Sequence, residues 1–249
     1  MLDATDITRL RLGYLHLRPD EVRDPDAPGS RLWMVSAYVI RHPRGVFLWD
    51  TGIGSDPEVD ALLAPVRWPV EERLRGIGIQ PDEVRVIGNC HLHFDHAGGN
   101  ARFPGVPILA QRAEHVAAES VQDYTLPGIA AFPGARYELL DGDATVWDGV
   151  RVVPTPGHTD GHQSLVVDTR QGRVILAGQA VNTASDYARA VLARELAAAG
   201  HDAGAAYPAW LDAFEAFDPW RVYFAHDLAT WERAPDSEPG IPPHFVAAI

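Results

Sequence analysis

His91-Leu92-His93-Phe94-Asp95-His96-Ala97-Gly98-Gly99 sets three histidines and an aspartate within six residues. The chain has 11 His and 22 Asp in 249 residues, so chance would place H-x-H-x-D-H in roughly two of a thousand such chains. The bland alternative is a polar surface loop with incidental histidines. In an extended segment, residues two apart project to the same side, which lets His91 and His93 grip one ion together. Asp95 and His96 lie beyond them, where the glycine pair implies a tight turn. They can face the opposite way and hold a second ion. Imidazole and carboxylate together suit zinc and similar divalent metals.

Two more histidines sit at the ends of apolar runs. His158 lies in Thr155-Pro156-Gly157-His158-Thr159-Asp160-Gly161-His162, just before a strand-like segment, and His226 follows Val222-Tyr223-Phe224-Ala225. Each alone reads as a core or surface histidine. Beside the upstream cluster, both become candidate ligands, because strand ends meeting at one sheet edge can supply the several donors a metal needs.

The surrounding pattern is mixed. Residues 32–41, 46–50 and 83–89 read as strands, with 107–110 and 137–140 as shorter ones. Further strands are expected at 151–153, 163–168, 173–177 and 220–225, with a Gln171-Gly172 turn. Ser55-Asp56-Pro57 signals a helix start, and Pro65 and Pro69 divide 57–75 into two short helices. Residues 112–119, 183–199 and 207–217 read as helices, and 121–135 as an irregular loop. Strands in two blocks with helices between suggest sheet-on-sheet packing with helices outside. Gly and Pro punctuate the chain evenly, so one domain over 1–249 is expected.

Composition narrows the function. All 21 basic residues are Arg, against 34 acidic ones, a net charge of −13. Duplex nucleic acid is an unsuitable partner for such a surface, and the balance is neutral on a homodimer. The absence of Lys excludes lysine Schiff-base chemistry and a Walker-type phosphate loop. No apolar run approaches a membrane span. The N-terminus MLDATDITRLRLGYLHL lacks the pattern of a secretory signal, and the single cysteine, Cys90, permits no intrachain disulfide. A cytoplasmic location is expected. No G-x-S-x-G occurs, against a nucleophile-elbow serine hydrolase. Cys90 reads as a buried structural residue rather than a nucleophile. Asp50 and His162 read as residues that hydrogen-bond to ligands or nearby groups. Trp33, Met34 and Tyr124 are open between pocket and core, and Phe47 is assigned to the core. His16, His42, His115, His201 and His244 read as incidental.

Taken together, these motifs resemble the metallo-β-lactamase-fold hydrolases, and within them the N-acyl-homoserine lactonase group. Five segments carry the resemblance in order over about residues 32–227: Asp50-Thr51-Gly52, HLHFDHAGG, TPGHTDGH, a buried strand ending Leu176-Ala177-Gly178, and His226-Asp227. The resemblance implies an α+β fold, a four-layer αββα sandwich with metals at one sheet edge. It implies a first metal on His91, His93 and His158 and a second on Asp95, His96 and His226. The implied cofactor is one or two zinc ions, with iron, manganese or cobalt as alternatives. The implied substrate is a small molecule with an ester or lactone carbonyl, opened by a metal-activated hydroxide, with Asp95 orienting it and passing a proton to the leaving alkoxide.

The chain departs from that family at two positions. Gln179 stands where an Asp bridges both metals, and Asn182 where a tyrosine follows three residues later; the nearest tyrosine is Tyr187. Two dications about 3.5 Å apart repel by roughly 19 kcal/mol at an effective dielectric near 20. A bridging Asp offsets part of that repulsion, whereas Gln179 offers only a carbonyl oxygen. One expectation is a weakened or empty second site; another is Gln179 acting as a neutral metal ligand. Two rival functions follow: a mononuclear iron oxidoreductase using His91, His93 and His158, and a binding protein with degraded catalysis.

Overall fold

The computed structural model describes residues 1–17, 32–201, 207–233 and, as backbone, 245–246. His244 lies outside these residues. Contacts divide the chain into two compact units, Thr5–Asp141 and Met1–Ala4 with Gly142–Ile249.

In the first unit the strands are β1 (Ile7–His16), β2 (Leu32–His42), β3 (Gly45–Trp49), β4 (Val66–Arg67), β5 (Val84–Gly88), β6 (Ile108–Gln111) and β7 (Tyr137–Leu140). Among the described residues they form one sheet in the order β4-β1-β2-β3-β5-β6-β7. The β1–β2 and β2–β3 pairs are antiparallel; β3–β5, β5–β6 and β6–β7 are parallel. Val35 to Ile40 of β2 are all buried, as befits an inner strand covered on both faces.

The crossover from β3 to β5 carries the two short helices expected from the prolines, α1 (Pro57–Leu63) and α2 (Val70–Gly76). Asp56 caps α1, its Oδ1 accepting from the backbone N–H groups of Glu58 (2.9 Å) and Val59 (3.3 Å). Leu63, Val70 and Leu74 pack beneath the sheet with Leu10, Leu12, Val35 and Ile87. Burying a side chain such as Leu74 contributes about 1.5–3 kcal/mol.

Strand β1 has no counterpart among the strands expected from sequence, although its Leu10, Leu12 and Leu15 mark the buried face. The apolar spacing slips between Leu12 and Leu15 because the register shifts between Arg11 and Gly13. Gly13 sits at φ 140°, and a Cβ there would lie 1.9 Å from the Val66 carbonyl oxygen. Only glycine allows β4 to pair at that point.

The first unit also holds α3 (Phe94–Ala97) and α4 (Arg112–Ser120). The second unit contains β8 (Ala144–Trp147), β9 (Val150–Pro154), β10 (Gln163–Thr169), β11 (Gly172–Leu176), α5 (Ala184–Ala198), α6 (Ala209–Ala216), β12 (Pro219–Tyr223), β13 (Thr230–Glu232) and β14 (Phe245–Val246). Its sheet runs β14-β13-β12-β11-β10-β9-β8 among the described residues, and β11–β12 is the parallel pair within it. The β11-to-β12 crossover contains α5 and α6, which bury Tyr187, Val191, Leu211 and Phe214 against Ile175, Val222 and Trp231. The chain start is tied to this unit: Leu2 bridges Thr169, and Arg170 pairs with Asp3 at 2.8 Å. Among the described residues no helix is long and apolar enough to cross a membrane.

Candidate metal centre

Strands β3 and β5 run parallel with Trp49 opposite Gly88, so Asp50 and Asn89-Cys90-His91 leave the sheet side by side. Asp50 turns through φ 62°, a left-handed conformation that Asp tolerates better than most residues. The turn is held by its N–H donating to the Gly88 carbonyl at 2.8 Å. Its carboxylate is spent on the histidine-rich stretch. Oδ1 accepts from the Cys90 N–H at 2.9 Å; Oδ2 lies 3.3 Å from Cys90 Sγ and 3.1 Å from His96 Nδ1.

Residues 94–97 form a short helix rather than continuing an extended segment, with His93 at its N-cap. Asp95 and His96 consequently do not turn away from His91. One donor atom from each of His91, Asp95 and His96 lies within 4.8 Å of the others, and all three residues are buried. His96 Nε2 is 3.4 Å from Asp95 Oδ2. The His91 ring lies 4.4 Å from those of both His93 and His96. The glycine pair is also needed for another reason than a turn. Gly98 has ordinary helical dihedrals, but its Cα sits against the Ile53–Gly54 backbone, where a Cβ would meet Gly54 N at 1.9 Å.

The electrostatics favour a cation. Burial opposes a proton on His96, yet Cys90, Asp95 and Asp50 together hold its pKa well above the ordinary histidine range. Burial lowers that of His93, favouring the neutral imidazole a metal requires. Burial, aided by Asp50, pushes the Cys90 thiol up to about 12, so it is no thiolate nucleophile.

A further brace has no signature in the sequence. Buried Glu114 of α4 accepts from the Leu92 N–H at 2.7 Å and from the Tyr124 hydroxyl at 2.6 Å, and the Tyr124 ring lies 5.0 Å from that of His93. Tyr124 thus supports the histidine segment. Phe47 is fully buried and stacks on Trp49, as core. Of the incidental histidines, His115 pairs with Glu119 at 3.4 Å and His42 Nδ1 accepts from the Arg44 N–H.

In the second unit the parallel pair β11–β12 repeats the device. Leu176 lies opposite Tyr223, so the segments leading to Gln179 and His226 leave the sheet as neighbours, joined by Ala225 N–H to Gly178 O at 3.3 Å. His226 is buried and His158 exposed. His162 is committed to local bonds. Nδ1 lies 2.8 Å from Thr155 Oγ1 and 3.0 Å from Thr155 O, and Nε2 accepts from the Gln179 N–H at 2.9 Å. It positions Gln179, in keeping with the hydrogen-bonding role expected of it. Asp227 is structural, accepting from the N–H groups of Ala184 and Ala229.

Gln179 Oε1 and Asn182 Oδ1 are buried and accept no hydrogen bond from any described residue. Buried acceptors cost about 1–3 kcal/mol when unsatisfied, and a cation is a natural partner for both. Within the first unit, the imidazole and carboxylate donors of His91, Asp95 and His96 fit a divalent metal. Tyr187 does not stand in for the absent tyrosine. It is buried among Trp210, Phe214 and Trp231, and its hydroxyl donates to Glu215 Oε1 at 2.9 Å.

The model of the metallo-beta-lactamase superfamily matches residues 30–226. The chain belongs to that superfamily. An N-acyl homoserine lactonase from a Bacillus species is 37% identical over 191 residues, covering 70% of this chain and 75% of the relative. The N-acyl homoserine lactonase AiiA of Bacillus thuringiensis subsp. kurstaki is 34% identical over the same length, with the same coverage. A solved N-acyl homoserine lactone hydrolase, with its product N-hexanoyl-L-homoserine bound at the catalytic metal centre, superimposes with a TM-score of 0.71 at 28% identity. That match covers 89% of this chain and 93% of the other. The fold is thus the α+β metallo-β-lactamase fold expected from the motifs, and the superfamily is one of metal-dependent hydrolases.

Proposed function

We propose that this protein is a metal-dependent lactonase that opens N-acyl homoserine lactones, a quorum-quenching activity, and that residues 1–249 work as one catalytic domain. The buried cluster of His91, Asp95 and His96, braced by Asp50 inside a chain similar to lactonases, carries the reading. His91, His93 and His158 would hold the first ion; Asp95, His96 and His226 would hold a second, with Gln179 as a neutral donor. Zinc is the ion we assign. A divalent metal at such a site supplies Lewis acidity and a water of lowered pKa.

The chain's own residues do the rest. Asp95, buried beside His96, orients the attacking water and takes its proton. As the bond from water oxygen to the carbonyl carbon forms and the ring C–O bond breaks, Asp95 returns the proton to the leaving alkoxide. Gln179 and Asn182 replace an anion and a hydroxyl with neutral amides, so a second ion would be held less tightly than the first. The substrate is a small molecule with a lactone carbonyl; we assign no nucleic acid or membrane partner, a cytoplasmic location, and leave a homodimer open.

The test is lactone opening by purified protein, followed as acid release from N-hexanoyl-homoserine lactone. Turnover abolished by chelator and restored by zinc supports the proposal. Binding of the lactone without turnover in zinc-loaded protein would instead indicate a binding protein, and iron content with oxygen uptake an oxidoreductase.

A further inference from the structure

We infer that Cys90 is a positioning residue that orients the rings of His91 and His96, an inference that rests on metal binding at this cluster. Its sulfur occupies the centre of the cluster's inner side. Sγ lies 3.2 Å from His91 Nδ1, 3.2 Å from His96 Nδ1 and 3.3 Å from Asp50 Oδ2. The residue is wholly buried, and its backbone N–H engages the other oxygen of the same carboxylate at 2.9 Å.

Donor and acceptor counting gives the direction of the bond to Asp50. A carboxylate only accepts, and a thiol has one proton, so the S–H is directed at Asp50 Oδ2. The sulfur lone pairs are then placed to accept from the Nδ1–H of each ring. His96 shares its Nδ1–H between the sulfur and Asp50 Oδ2, 3.1 Å away. With Nδ1 so engaged, each imidazole keeps Nε2 as the nitrogen that would face a metal. For His96 that nitrogen is the one facing Asp95. Cys90 thus couples His91 to the Asp50 carboxylate through one atom. Sulfur suits the task because its longer bond and larger radius let a single atom touch two rings whose centroids are 4.4 Å apart. A serine hydroxyl keeps the chemistry with shorter reach, whereas valine fills the volume with no donor or acceptor.

The experiment compares the full-length wild type with Cys90→Ser, Cys90→Val and Cys90→Ala. Zinc affinity is read by chelator competition, metal geometry by the visible spectrum after cobalt(II) loading, and histidine tautomers by nitrogen-15 NMR of the metal-free protein. The expected result is a 10–100-fold loss of zinc affinity in the valine and alanine variants, with an altered cobalt spectrum. The serine variant should fall between them and wild type. His91 should be a fixed Nδ1–H tautomer in wild type and lose that preference in the valine variant. Wild-type zinc affinity and cobalt spectrum in the valine variant overturn the inference alone, as does an unchanged His91 tautomer there. If alanine does not fold, the valine and serine pair decides. A wild type that takes up neither zinc nor cobalt overturns the metal reading, and this inference with it.

Discussion

The two units use one construction to different ends. In each, a parallel strand pair, β3–β5 or β11–β12, delivers two segments side by side beyond the strand ends. Beyond β3 and β5 those segments carry carboxylates and imidazoles: Asp50 bonded to Cys90 and His96, and Asp95 against His96. Beyond β11 and β12 they carry neutral oxygens on Gln179 and Asn182 and the imidazole of His226. The same scaffold therefore yields one region whose carboxylates face its imidazoles and one where the carboxylate of Asp227 is spent on backbone N–H groups. Cation affinity depends on the charge rather than on the strand geometry, so the first region should dominate it.

The largest effect expected from this contrast is at Asp95. Asp95→Asn keeps a ligating oxygen but cannot carry a proton, so kcat for lactone opening should fall about 10²–10⁴-fold with the first ion retained. Full activity with metal bound would remove Asp95 from the reaction. Asp50→Ala comes next. It leaves the Cys90 N–H and the His96 Nδ1–H without their carboxylate, which costs about 1–3 kcal/mol for each buried group, and zinc affinity should drop about 10–100-fold. Thermal unfolding and chelator competition read the two losses. An Asp50→Ala protein that binds zinc like wild type would show the first region is not organised by that carboxylate.

Much of this contrast was legible in the sequence, for a physical reason. Metal ligands must be particular residue types, so H-x-H-x-D-H and the substitution at Gln179 are visible as letters. The start of α1 was likewise marked by Asp56-Pro57, a capping side chain before a proline, and the inner strand by the continuous apolar character around Val35 to Ile40. What escaped depends on contacts between distant positions. The Glu114 brace joins α4 to Leu92 across 22 residues, and the β1 bulge is explained only by the Val66 carbonyl against Gly13. The helical turn at Phe94–Ala97 is four residues long, too short for any periodicity to announce, and it is what brings Asp95 and His96 back toward His91.

The smallest effect tests the second region's tyrosine. Tyr187→Phe removes one buried hydrogen bond to Glu215 and should cost about 1 kcal/mol in stability, with kcat and metal content unchanged. A loss of turnover without a loss of stability would return Tyr187 to the chemistry.

The most direct measurement is metal per chain by plasma mass spectrometry, for wild type and Gln179→Asp, each purified without added metal and dialysed against a weak chelator. Wild type should retain about one zinc ion and Gln179→Asp about two, because the added carboxylate offsets repulsion between the dications. Two ions held equally by the wild-type chain would contradict the weak second site.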